Sequence, residues 1–250
     1  MSRVVAVVQA LGADARLPGK VLAPLAGVPV VEHVLRSAEA TASIDDVVLA
    51  TTTAAQDDAL AEHSQNIGVR TFRGSEPDVL ARFVGALEGD DADVVVRLTA
   101  DNPLLDPAVT DSVVRRYLEG DCDYASNNGE RSWPRGLDCE VLSRAALERS
   151  ARDGRRPEDR EHVTFHVRTH PDEFRLVNVR APAAGFWPEL RLSLDTPEDL
   201  ALLQRVFDAL YDEHGGPLAI GTVIAWLREH PDVVALNAEV HQKPTLGRVL

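Results

Sequence analysis

The chain has 250 residues, 44% hydrophobic and 26% charged, which is enough apolar material for one substantial core, so a single α/β domain over residues 1–250 is expected. Its formal charge of −14 excludes the basic surface that a nucleic acid or an anionic membrane requires, and any phosphate chemistry must then rest on a few local cations or a metal ion. Two cysteines, Cys122 and Cys139, cannot build a disulfide framework; no stretch reaches the roughly 18 apolar residues of a membrane span and the start does not read as a secretory leader, so a reducing cytoplasm is the expected compartment.

Residues 3–10 (RVVAVVQA) read as a buried strand that runs into a loop holding Gly12, Pro18 and Gly19. Residues 30–40 read as a helix. The alternation continues with strand 46–51, helix 57–67, strand 69–72, helix 76–87, strand 93–99 and helix 107–118. Apolar strands separated by helices are what a parallel sheet covered on both faces requires, which predicts a doubly wound fold. After Asp121 the pattern loosens, with strand-like pieces at 122–126, 137–142 and 174–179 and helices at 145–151 and 157–169. Residues 121–190 are therefore expected to form an inserted lobe for acceptor binding and dimerisation. Residues 190–194 return to strand character, and helices follow at 197–210, with Thr196 as its N-cap, and at 220–229. Residues 242–250 read as an extended tail.

Four segments carry chemistry. The loop LGADARLPGK (residues 11–20) lies at the carboxyl end of the first strand, where ligands of open α/β sheets bind. Its backbone N–H groups and the cations of Arg16 and Lys20 suit a triphosphate, although a solvated surface loop has the same composition. In LTADNPLLD (residues 98–106) a strand delivers Asp101 to its carboxyl end, a position suited to Mg²⁺, whereas Asp106 before Pro107 reads as a helix N-cap. SLDTPEDL (residues 193–200) sets Asp195 between a strand end and a helix start, where it reads either as a second metal ligand or as part of the helix opening. WPRGLDCEV (residues 133–141) groups Arg135, Asp138 and Glu140; if residues 137–141 form a strand, the two acids share a face that could orient an acceptor or lie on a solvated edge. PEDREHVT (residues 157–164) adds His162 near a helix start.

Taken together, RLPGKVL, ATTT, FRGSEPDVLARF, PRGLD, EHVT and LDTPEDL, in this order, resemble the cytidylyltransferase family that includes CMP-sialic acid and CMP-Kdo synthetases, and most closely its spore coat polysaccharide biosynthesis F-type branch. The resemblance runs from the first strand to about residue 210, and LNAEVHQKP is similar to that branch's ending. It implies a GT-A-like, mostly parallel sheet, a homodimer, CTP as co-substrate and Mg²⁺ as cofactor. Carried over by position, Arg16 and Lys20 would hold the triphosphate, and Asp101 with Asp195 would bind Mg²⁺. Gln9, Ala10, Leu11, Thr51, Thr53, Arg73 and Gly74 would sit near the nucleotide, and Arg82 would reach toward phosphates or acceptor. Arg135, Asp138, Glu140 and His162 would face the acceptor. One departure stands out: relatives read Q-A-R-M-G-S-x-R-L-P-G-K where this chain reads QALGADARLPGK, so Leu11 replaces an arginine and Ala13 a glycine. The missing guanidinium removes a phosphate contact of about 1.5–3 kcal/mol, and Asp14 adds negative charge nearby.

The activity so implied is transfer of CMP from CTP to a small anionic acceptor (a sugar acid, sugar phosphate or phosphonate), by attack of an acceptor oxygen on the α-phosphorus with release of pyrophosphate. A hydroxyl acceptor would need a base, and Asp138 with Glu140 is the first place to look. A GT-A-like glycosyltransferase using a nucleotide sugar and a catalytically silent nucleotide-binding homologue are the competing expectations.

Overall fold

The structure, a computed structural model, describes residues 2–12, 16–212 and 216–241. Strand β1 (Val4–Gln9) leads to a hairpin of β2 (Pro24–Leu25) and β3 (Val28–Pro29) and then to helix α1 (Val30–Glu39). The alternating half follows as β4 (Asp46–Thr52), α2 (Asp58–Asn66), β5 (Arg70–Gly74), α3 (Val79–Ala86), β6 (Val94–Thr99) and α4 (Pro107–Leu118). The remainder is β7 (Tyr124–Ser126), β8 (Glu140–Ser143), α5 (Arg144–Asp153), α6 (Pro157–Glu161), α7 (Phe165–Thr169), β9 (Leu176–Asn178), α8 (Pro197–Leu210), α9 (Ile220–Glu229) and α10 (Pro231–Val234).

Seven strands form one sheet in the order β5-β4-β1-β6-β8-β7-β9. β1 pairs in parallel with β4 and β6, and β4 with β5, so the β-branched centre of the sheet is buried on both faces. β8 enters antiparallel between β6 and β7, and β9 runs parallel to β7. This is the doubly wound, mostly parallel architecture that the sequence predicts. The strands of residues 121–190 extend the main sheet.

Side-chain caps set the starts of α3, α4, α5 and α8. Asp78 accepts from Ala81 N at 2.8 Å, so α3 begins at Val79, later than the expected start at residue 76, and Ser143 accepts from Ala146 N at 3.0 Å to open α5. Asp106 is the N-cap its position predicts, accepting from Ala108 N at 2.7 Å; its other oxygen accepts from Ile220 N at 2.7 Å and so ties the start of α9 to that of α4. Thr196 caps α8, accepting from Asp199 N at 3.3 Å.

Three expectations need correction. Residues 190–194 form no strand: Arg191 makes a single bridge to Arg135, and Leu190, Leu192 and Leu194 are apolar because they pack in a third core cluster with α8 and α9. Residues 137–139 precede β8 rather than belonging to it. The single helix expected over 157–169 is two short ones, broken at residues 162–164, where Val163 packs into the core and Thr164 turns its hydroxyl to Glu140 at 2.7 Å.

The alternation of the strands builds the floor of the site. On the sheet face that meets α3 and α5, Val5, Val7, Val48, Ala50, Val95, Tyr124 and Leu142 form a core cluster. One step further along the same face of the strands stand Gln9, Thr52, Arg97, Glu140 and Ser126. The apolar core thus becomes a polar layer.

Candidate active site

Two places are built at this polar end. The first gathers Lys20, Arg16, Asp101 and Asp195 from segments far apart in sequence. Lys20 is buried, and its Nζ donates to Asp195 Oδ1 at 2.8 Å and to Asp101 Oδ2 at 3.3 Å, so both carboxylates converge on one ammonium. Arg16 reaches the same Asp195 oxygen at 2.6 Å, and Arg191 bonds the other. Burial alone would raise the Asp195 pKa, but Lys20, Arg191 and Arg16 outweigh it and hold the group below the usual carboxylate range. Asp101 Oδ1 accepts from Thr99 Oγ1 at 2.7 Å, and its backbone carbonyl accepts from Leu194 N at 2.8 Å, which locks the two aspartate-bearing segments together.

Behind Asp195 lies a buried support that sequence reasoning missed. Asp199 takes Arg191 through two bonds, at 2.8 and 3.1 Å, and also accepts from Asp195 N at 2.9 Å. Asn237 donates to Asp199 at 2.8 Å and to Arg191 O at 3.0 Å. The arginine four residues before Asp195 is the signal in the sequence that points to this support.

The loop between β1 and Lys20 is pinned at both described ends. Gly12 N donates to Asp57 Oδ1 at 2.8 Å, and a Cβ on Gly12 would lie 2.7 Å from that oxygen, so a side chain there would displace Asp57. Gly19, at φ 73°, donates to Gly12 O at 2.9 Å and closes the loop. Ala13 and Asp14 lie outside the described residues. Asp57, also missed from the sequence, is fully buried and takes the Thr51 hydroxyl at 3.0 Å, the Thr52 N–H at 3.2 Å and the Thr52 hydroxyl.

The nucleotide-side residues expected from the resemblance divide accordingly. Gln9 and Leu11 line a cleft of about 820 Å³, together with Glu76, Asp78, Arg82, Arg97, Arg160, Glu161 and His162. Ala10 is buried in the ladder beneath, donating to Ala50 O at 3.1 Å. Thr51 is engaged with Asp57, and Thr53 is exposed, its N–H bonded to Gly74 O at 3.1 Å. Arg73 clamps the Thr52 and Ala54 carbonyls at 2.8 and 3.0 Å and pairs with Asp58 at 2.6 Å.

The acceptor-side residues are not one surface. Asp138 pairs with Arg131 at 2.9 Å. Arg135 contributes its backbone, accepting from Leu192 N at 2.7 Å and donating to Leu190 O at 2.9 Å. Glu140 sits on the strand face behind the cleft, only 2% exposed, accepting from the Tyr124 hydroxyl at 2.5 Å and from Thr164 at 2.7 Å, bonding Arg97, and facing Arg168 at 3.9 Å. Burial pushes its carboxyl up, but Arg97, Arg168 and the two hydroxyls win and hold it at about 2. A carboxylate so well stabilised is a poor proton acceptor, and Asp138 and Glu140 do not form the shared acidic face that a strand over 137–141 predicts. Only His162 of this set lines the cleft. Its pKa is lowered, first by burial, with Glu161 pulling it up and Arg97 and Arg168 pushing it further down.

Among the described residues no helix is long and apolar enough to cross a membrane, and no group of three or more metal-ligating side chains occurs.

The family described as Cytidylyltransferase matches residues 5–216. The spore coat polysaccharide biosynthesis protein SpsF of Bacillus subtilis is 34% identical over 239 residues, covering 93% of this chain and 97% of its own. A solved cytidylyltransferase from Leptospira borgpetersenii superposes with a TM-score of 0.88 at 25% identity, over 98% of this chain and all of the other. The CMP:2-keto-3-deoxy-manno-octonic acid synthetase complexed with CTP has the same fold, with a TM-score of 0.64 at 19% identity over 83% of this chain and 99% of its own. With the family pattern spanning most of its length, this chain belongs to the cytidylyltransferase family.

Proposed function

We infer that the protein transfers CMP from CTP to a small anionic acceptor and releases pyrophosphate, with Mg²⁺ as cofactor. The observation that carries this reading is the meeting of Lys20, Arg16, Asp101 and Asp195 at the carboxyl end of the central strands, beside an open cleft. Hard carboxylate oxygens are what Mg²⁺ takes, one or two at a time, with phosphate and water completing its shell, and Asp101, whose side chain is 28% exposed, fits that role with Asp195 beside it. Bound there, Mg²⁺ would neutralise charge on the phosphates and the leaving pyrophosphate.

The rest falls to the chain itself. Lys20 and Arg16, held by Asp195, are the cations that turn to the triphosphate, and Asp57 fixes the Gly12 backbone where the loop begins. Glu140 is held ionised within its own network, so an acceptor that is already ionised, or a hydroxyl activated elsewhere, suits this site better than one needing that carboxylate as base. Assembly as a homodimer through residues 121–190 rests on the family resemblance. Pyrophosphate release measured with each of the four NTPs against sugar acids, sugar phosphates and phosphonates tests the reading. CTP-dependent release that Asp101→Ala abolishes is the expected result. Release of a nucleoside diphosphate from a nucleotide sugar would instead favour a glycosyltransferase, and CTP binding without turnover a silent homologue.

A further inference from the structure

A hydroxyl acceptor needs a group to take its proton, and the carboxylates expected for that work are engaged elsewhere. Asp138 is paired with Arg131, and Glu140 is held ionised behind the cleft by Arg97 and Arg168. Of the acids that line the cleft, Asp78 already accepts from Ala81 N and faces Arg160 at 3.6 Å, while Glu76 and Glu161 stand exposed at its rim. Arg82, Arg97 and Arg160 are cations that accept no proton. The remaining titratable side chain on the cleft is His162. Its backbone is tied on both sides: its N–H donates to Glu158 O at 2.9 Å, and its carbonyl accepts from Phe165 N at 2.6 Å. The next two residues anchor the turn further, Val163 in the core and Thr164 on Glu140. The imidazole is half-buried, with the Phe165 ring at 6.4 Å, and among the described residues no hydrogen bond occupies its ring nitrogens.

We propose that His162 is the general base of the transfer, and that the attacking atom of the acceptor is a hydroxyl oxygen, on a sugar acid or sugar phosphate, rather than an oxygen already ionised. The proposal rests on the nucleotidyltransferase reading and deepens it by naming the reacting group of the acceptor and the side chain that activates it. Two further features support it. The same cavity is bounded by Gln9 and Leu11, where β1 passes into the loop of Arg16 and Lys20, so the imidazole shares one space with the start of that loop. Charged groups reach the ring from β6 (Arg97), α7 (Arg168) and β8 (Glu140), and from Glu161 beside it. Burial and the two guanidinium groups hold its pKa below the ordinary 6.5 against the pull of the two acids, so the ring is neutral at neutral pH and free to take a proton. As the hydroxyl oxygen bonds to the α-phosphorus, its proton passes to an imidazole nitrogen. The bond from that phosphorus to the bridging oxygen breaks, and its electron pair leaves with pyrophosphate. The imidazolium returns the proton to water once the products have left.

The experiment uses the full chain with CTP, Mg²⁺ and the compound that releases pyrophosphate fastest in the screen, with methylphosphonate as the probe that has no hydroxyl. Wild-type protein is expected to turn over the hydroxyl-bearing compound and not methylphosphonate, with kcat rising along one limb as pH increases. His162→Gln is expected to lower kcat about 10²-fold or more, to lose that limb, and to change the KM for CTP by less than about twofold. His162→Ala is expected to be equally slow and to recover about tenfold in added imidazole, a rescue that a structural role would not give. In the free wild-type protein, the ring NMR signals of His162, assigned by their absence from His162→Gln, are expected to titrate below 6.5, a readout that needs no variant to turn over. His162→Gln within about threefold of wild type, a pH limb retained in that variant, a His162 titration above 6.5, or a fastest acceptor without a hydroxyl would each overturn the proposal. Wild-type protein that releases no pyrophosphate with any acceptor would instead strike the nucleotidyltransferase reading, and this proposal with it.

Discussion

Asp195 and Glu140 are both buried carboxylates kept ionised by several cations, yet they are built for different work. The partners of Glu140 come from β6, β7, the turn after α6 and α7, elements that the core holds in place. Asp195 has one such partner, Arg191, and two from the connection between β1 and the hairpin, Lys20 and Arg16. A carboxylate ringed by fixed partners orients a neighbour. One whose cations sit on a loop can exchange them for phosphate and metal.

The sharpest way to break this comparison is to remove a loop cation. Lys20→Ala is expected to lower pyrophosphate release by about 10²–10³-fold, since a donor aimed at developing charge is lost, and to lower the midpoint of urea unfolding less than Glu140→Ala does, because Asp195 keeps Arg16 and Arg191. The converse holds for the fixed partner: Glu140→Ala leaves Arg97 and Arg168 without their carboxylate and is expected to cost about 3–5 kcal/mol of stability, read from the same unfolding curves.

The pH dependence sharpens the contrast. The Glu140 carboxyl, ordinarily at 4.5, sits at about 2 in the folded protein, so its contribution is complete above the ordinary value and is lost as pH falls toward the folded one. The stability gap between wild type and Glu140→Gln should therefore narrow between pH 5 and 3, as measured by urea unfolding at each pH. A gap that stays constant would mean the carboxylate is not held ionised.

Two smaller effects test the supports. Asp57→Ala strips partners from Gly12, Thr51 and Thr52, and is expected to cost about 1–3 kcal/mol and to raise the KM for CTP more than it lowers kcat. Asn237→Ala, at the far end of the Asp199–Arg191–Asp195 chain, is expected to cost about 1 kcal/mol and to lower kcat severalfold, with thermal unfolding and steady-state rates as the readouts.

The sequence made some of this legible and hid the rest for identifiable reasons. β1, β4 and β6 are runs of β-branched residues, and α4, α8 and α9 open on proline or end before one, so their positions follow from local chemistry. The motifs around Lys20, Asp101 and Asp195 could be seen because each ends a strand or opens a helix. Residues 190–194 misled because burial against α8 and α9 produces the same apolar pattern as a strand ladder. Asp57, Arg97, Asp199 and Asn237 escaped because their partners lie across the sheet or across the chain, where only topology brings them together. The visible hints were an arginine within a strand of valines and the arginine four residues before Asp195.

The most direct measurement follows the α-phosphorus. CTP labelled at that atom, incubated with Mg²⁺ and an anionic acceptor identified by the pyrophosphate screen, should yield label joined to the acceptor and unlabelled pyrophosphate in equal amounts, with both products absent for Asp101→Ala. Label that stays in CTP with every anionic acceptor although the nucleotide binds, or transfer that survives Asp101→Ala unchanged, would contradict the account.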